Sequence, residues 1–213
     1  MATVQDHPTD VSEALRFLAR HQACADSLPW AGQFHTLEEL WQHCPNPDWL
    51  LWGLKYTSFQ DPMAMRRWAC RCVRRVWDWI GNDTSRHALE VAERFTRNEA
   101  SPQELTAAWQ EAAGHVGGPW PSAPIAWATR AGAEAAGERV LLAAKAAAEA
   151  AAWHQPEHYA GAWAAVRAAQ ADLLREVIGA EGIAAVIADW RKASEDPSCG
   201  PLTLEVSRPE RGR

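Results

Sequence analysis

Three predicted helix starts in this chain set a capping polar residue directly before a proline: Asn46-Pro47, Asp61-Pro62 and Ser101-Pro102. The pairing has a physical reason. Asn, Asp and Ser side chains accept the free amide groups of a first helical turn. Proline suits the first helical position because its missing N–H would have no partner there. Asp10 with Glu13, Thr36 with Glu39 and Ser101 with Glu104 add capping-box spacing, an acid three residues after the cap. Starts of this kind commit the chain to helices before periodicity is considered.

Periodicity then fills in the segments. Val11, Ala14, Leu15, Leu18 and Ala25 share one face of a first helix, and Leu37, Leu40, Trp41 and Cys44 follow Thr36. Trp49, Leu50, Leu51, Trp52 and Leu54 make the third segment apolar nearly all round, which predicts a buried helix. The fourth is predicted to run from Pro62 to about Ile80 and to stop at Gly81-Asn82. At 100° per residue, Met65, Trp68, Ala69, Cys72, Val73, Val76, Trp79 and Ile80 fall in one sector of it. Arg66, Arg67, Arg71, Arg74, Arg75 and Asp78 fall in the other.

A fifth helix is expected over about Asp83 to Arg97, with Ala88, Val91, Ala92 and Phe95 inward. Its pairs Arg86–Glu90, Glu90–Arg94 and Glu93–Arg97 are spaced to join on a solvent face. A sixth carries Leu105, Ala108, Trp109 and Ala112 and ends at Gly114. The breakers around Gly117-Gly118-Pro119-Trp120-Pro121 mark a loop. Beyond it alanine dominates. One long helix is expected over about Ala123 to Trp153, with a bend at Gly132 or Gly137. Another follows from Pro156 to Ile178, closed by Gly179, and a last one covers about Glu181 to Ala193. The reading is an all-α single-domain bundle of eight to nine helices over 1–193, with an alanine-rich antiparallel C-terminal hairpin. Its tryptophan-rich half is 10–114, its alanine-rich half 122–193, and 194–213 is a flexible tail. Within that tail, Leu202 to Val206 alternates like a strand without an evident partner.

Composition narrows the classes. Thirteen Trp stand beside four Phe and two Tyr, so indole rings are expected to supply the bulk of the core against small alanines. Trp41, Trp49, Trp52, Trp68, Trp79 and Trp109 lie at core spacing; Trp30, Trp120 and Trp127 lie in or beside loops, as lids or as partner anchors. Lys plus Arg is 21 and Asp plus Glu is 27, a net charge of −6, which does not suit a general nucleic-acid binder. The five cysteines, Cys24, Cys44, Cys70, Cys72 and Cys199, are few and odd in number, as in a reducing compartment. The first ten residues have no basic and apolar signal pattern, and no run is apolar enough to span a membrane, so a cytoplasmic protein is expected.

The segments Trp49-Leu50-Leu51-Trp52, Arg67-Trp68-Ala69-Cys70-Arg71-Cys72-Val73-Arg74-Arg75 and Asp83-Thr84-Ser85-Arg86-His87-Ala88-Leu89-Glu90-Val91-Ala92-Glu93-Arg94 carry a resemblance. They resemble a bacterial family of helical proteins labelled immunity proteins, with similar segments in uncharacterised planctomycete-type proteins. The resemblance covers about residues 40 to 180. It implies a helical fold with an alanine-rich C-terminal half and a role in neutralising a toxin.

Chemistry-bearing patterns are few. His154-Gln155-Pro156-Glu157-His158 matches a zinc-binding H-x-x-E-H spacing, but Pro156 at a helix start leaves His154 outside the face that His158 shares. His154 and His158 are therefore weak metal candidates. Cys70 and Cys72 point about 200° apart on one helix, so both cannot face one ion. No nucleophile elbow or phosphate loop occurs, and neither an enzyme nor a cofactor is expected. The expected activity is protein binding, with Arg66, Arg67, Arg71, Arg74, Arg75 and Trp120 as contact candidates and a toxin as partner. The alternative is a structural or scaffolding subunit of a cytosolic protein or ribonucleoprotein assembly, docked through the alanine-rich hairpin; a lesser reading is a metal-dependent hydrolase using His154, Glu157 and His158.

Overall fold

Polar side chains hold first-turn amides at several helix starts. Thr36 Oγ1 accepts from Glu39 N at 3.1 Å, Asp61 Oδ1 from Ala64 N at 2.8 Å and Asn82 Oδ1 from Ser85 N at 2.8 Å. At Ser101 the box closes both ways: Ser101 Oγ accepts from Glu104 N at 3.1 Å, and Ser101 N donates to the Glu104 carboxylate at 2.7 Å. These bonds belong to a computed structural model that describes residues 26–116 and 123–195, together with Leu15 and Leu18.

The described chain is all-α, and no strand occurs among the described residues. Its helices are α1 (Ser27–Ala31), α2 (Leu37–His43), α3 (Pro47–Leu54), α4 (Pro62–Arg74), α5 (Asp83–Thr96), α6 (Pro102–Ala113), α7 (Pro124–Ala136), α8 (Val140–Trp153) and α9 (Tyr159–Glu195). Short 3-10 turns occupy Trp77–Trp79 and Pro156–His158. Gly179 interrupts α9 with φ 73° and ψ 167°, a conformation open to glycine and not to side-chain-bearing residues. The expected stop after Ile178 is thus in place. Of the expected first helix only Leu15 and Leu18 are described, both helical; Trp120, the strand-like run near Leu202 and the tail from 196 on lie outside the described residues, and Ser194 and Glu195, expected in the tail, end the last helix.

The helices pack as two compact units. Of the described residues, the terminal unit takes those up to Cys44, Asp48–Phe59 and Glu181–Glu195. Its core sets Trp41 edge-on against Trp190, centroids 6.0 Å apart, among buried Leu37, Leu40, Leu50 and Val186. Trp190 Nε1 donates to Gly53 O at 2.9 Å, and this approach admits no side chain on residue 53. Trp30 lies against Phe34 and Trp49, as a lid would.

The central unit takes Pro45–Pro47 and Gln60–Ala180. Here α4 packs on α5, α7 and α8, α5 on α6 and α7, and α6 on α7. Trp68, Ala69, Cys72 and Val73 of α4 are buried, as the sector predicted, and Trp127 is buried too. Between the helices lies one polar knot. Trp68 Nε1 donates to Gln170 O at 2.8 Å, Gln170 Nε2 donates to Ala144 O at 2.7 Å, and Arg167 Nη1 donates to Gln170 Oε1 at 2.7 Å.

Four expectations need correction. First, α4 stops at Arg74 and not at Ile80. Val76 leaves the helix at φ −115°, ψ 17°, a 3-10 turn follows, and Gly81 N is held by Thr129 Oγ1 at 2.8 Å. Val76 and Ile80 remain buried, so the apolar spacing continues where the helix does not. Secondly, the expected long helix from Ala123 is two helices. α7 runs straight through Gly132, and the link 137–139 turns the chain back so that α7 and α8 form the antiparallel alanine-rich pair. Thirdly, the expected pairs on α5 do not form. Glu93 binds Arg74 and Arg94 binds Glu104, charges brought by other helices, while Arg97 binds Glu99 and Arg86 binds Asp83 close by in sequence. Fourthly, Trp79 is not a core residue of α4; it sits half-buried in the 3-10 turn.

Candidate functional site

Proline at the first helical position and capping at Asp61 orient α4 with its arginine sector away from the core. The five arginines of that sector do different things. Arg66 reaches the C-terminal end of α7, where its Nη1 donates to Ala135 O at 2.7 Å and to Gly137 O at 2.9 Å. A cation on carbonyls that end a helix is favourable both as hydrogen bonding and against the helix dipole. Arg74 donates through Nε to Glu93 at 2.9 Å, closes a second bond through Nη2, and lies over the Trp77 ring at 4.2 Å. Arg71 pairs with Glu176, and Arg67 with Asp61 at 3.5 Å. Arg75 is exposed and, among the described residues, makes no ion pair. The sector is therefore largely neutralised from within. Arg67, Arg71 and Arg75 are spaced one turn apart on the exposed side: the pairs of Arg67 and Arg71 are exposed and weak, and Arg75 makes none among the described residues.

The two paired thiol candidates are buried. Burial pushes Cys70 and Cys72 up to about 12, which leaves them protonated and unreactive. Among the described residues no group of three His, Cys, Asp or Glu is arranged to hold a metal ion.

His154 and His158 belong to a different arrangement. The His154 ring lies tilted against Trp79 with centroids 3.7 Å apart. Its neighbour Trp153 ends α8 and meets the Tyr159 ring edge-on at 5.6 Å. Tyr159 lies parallel to Trp163 at 6.3 Å, and the Arg167 guanidinium sits over Trp163 at 5.7 Å. Trp79, His154, Trp153, Tyr159 and Trp163 thus form an arc of rings at one end of the central unit. Trp153 is 40% exposed. Tyr159 Oη donates to Glu149 at 2.5 Å; burial first, and then that carboxylate, push the phenol up to about 12.

This arc escaped the sequence reading. The run Trp153, Tyr159, Trp163 was its local signal, but Trp79 joins it only through the 3-10 turn that ends α4. Trp and Tyr are enriched among binding hot spots, and here one exposed indole, Trp153, is backed by half-buried Tyr159 and Trp163. No helix among the described residues is long and apolar enough to cross a membrane. Comparison with protein-family models, with curated proteins and with solved structures finds no match.

Proposed function

We propose that this chain is a non-catalytic protein-binding module of the immunity type, working in the cytoplasm by occluding a cognate toxin. The observation that carries the binding role is the aromatic arc, in which Trp153 leaves 40% of its surface open beside Tyr159 and Trp163. An exposed indole backed by half-buried aromatic rings, as Trp153 is by Tyr159 and Trp163, gains by being covered. The alanine faces of α7 and α8 are buried within their own unit, which favours the arc over the hairpin as the contact surface. Arg67, Arg71 and Arg75 supply a second outward row whose charge tunes association more than affinity.

The test is growth rescue. The product of the reading frame beside this one is expressed alone and together with the full chain. Growth arrest by the neighbour, relieved by the wild type and not by Trp153→Ala/Trp163→Ala, is the expected result. The variant Arg71→Glu/Arg75→Glu reports the arginine row separately. A neighbour that neither arrests growth nor binds the chain would remove the immunity reading; relief that survives both double variants would remove the assigned surfaces.

A further inference from the structure

The arc has a charge pattern of its own. Glu149 stands one turn before Trp153 on the outer side of α8, and its carboxylate already accepts from Tyr159 while keeping lone pairs for another donor. Glu157 is exposed in the 3-10 turn between Trp153 and Tyr159. The cations nearby are placed differently. Arg167 is buried under Trp163 and bonded to Gln170, and exposed Lys145 lies two turns before Trp153. His154 leans on Trp79, and both it and His158 are exposed.

We infer that the arc receives a cationic segment of a protein partner, with an Arg or Lys side chain laid over the open indole of Trp153 and Glu149 and Glu157 as counter-charges. This rests on the binding role proposed for the same surface and names the chemistry of what binds there. A cation over an indole is attracted by the ring's negative face, most strongly when water is excluded. The chain uses the same contact internally, with Arg74 over Trp77 at 4.2 Å and Arg167 over Trp163 at 5.7 Å. The overall charge of −6 steers a basic partner in the same direction. An acidic segment or a nucleic-acid strand would find the two carboxylates repulsive, even though rings can stack on bases.

The experiment uses the full chain and three labelled amphipathic peptides of one length and one apolar content, bearing Arg, Glu or Ser at the polar positions. Binding is read by fluorescence anisotropy at physiological salt. The Arg peptide is expected to bind about ten-fold tighter than the Glu peptide. Trp153→Ala should remove most of that binding, and Glu149→Gln/Glu157→Gln should erase the preference for Arg over Ser with the helical circular dichroism unchanged. Equal binding of the Arg and Ser peptides, both lost in Trp153→Ala, overturns the cationic inference and leaves the arc as a docking site. Binding indifferent to Trp153→Ala, or no binding by any peptide, overturns both.

Discussion

Gly53→Ala is a one-methyl substitution inside a helix, where alanine is ordinarily favoured over glycine by about 1 kcal/mol. In α3 the sign should reverse. A Cβ on residue 53 would lie 1.9 Å from Cζ2 of Trp190 and 2.9 Å from Cη2, against the roughly 3.5–4.0 Å that carbon atoms need. The ring must retreat by about 1.5–2 Å. That movement breaks the 2.9 Å bond from Trp190 Nε1 to Gly53 O and pulls the ring from its edge contact with Trp41 at 6.0 Å. Overpacking is worth about 1–3 kcal/mol, the hydrogen bond about 1 and the aromatic pair about 1. After the helix-propensity gain, the expected loss is about 2–4 kcal/mol. The deciding measurement repeats the substitution in a Trp190→Ala background, with urea titration followed by far-UV circular dichroism, since thirteen tryptophans blur fluorescence. There the methyl meets no ring, and Gly53→Ala should be neutral or stabilising by up to about 1 kcal/mol. A penalty of the same size in both backgrounds would falsify the steric argument.

Arg66→Met should destabilise by about 2–3 kcal/mol, because two carbonyls at the end of α7 lose a charged donor, while Arg75→Met should be near neutral; parallel urea midpoints compare them. Tyr159 should ionise near 12 by tyrosinate absorbance, and Glu149→Gln should lower that value without returning it to 10.0, since burial is the larger cause. The sign for stability follows: a phenol raised when folded stabilises fully below about pH 10, and that contribution disappears as pH rises through about 12. Native-state alkylation at pH 8, mapped by mass spectrometry, should leave Cys44, Cys70 and Cys72 unmodified until denaturant is added. Gly179→Ala has open space for its methyl but the wrong backbone, so about 1–3 kcal/mol should be lost with no change in packing.

Helix starts were legible because a cap and its amide are three residues apart. Thr36, Asp61 and Ser101 needed nothing from the rest of the chain. Helix ends were legible only where the reason was equally local, as at Gly179. The stop of α4 was hidden because Val76 and Ile80 keep an apolar spacing through a 3-10 turn. The reversal at 137–139 was hidden for another reason: the cation that satisfies its carbonyls, Arg66, lies 69 residues from Ala135 in sequence. Charge spacing on α5 predicted the wrong partners, since Arg74 competes for Glu93 from another helix. The candidate site divides the same way. The arginine sector was readable from α4 alone, but its internal neutralisation by Asp61, Glu93 and Glu176 was not. The aromatic arc required Trp79 and His154 to converge from segments far apart.

The bonds around Gln170 bear on a weakness of alanine-lined helices. Methyl groups repeat so evenly that a helix displaced along its neighbour by one turn meets nearly the same surface. Packing alone therefore discriminates poorly among alignments. Gln170 is 1% exposed, and its amide reaches Ala144 O while its backbone carbonyl takes the Trp68 indole. A one-turn slip would strand these groups, and Arg167 with them, in an apolar interior, at about 1–3 kcal/mol for each. A single amide thus acts as the index mark on an otherwise unmarked scale, giving the central unit one alignment of α9 out of several with similar apolar contact.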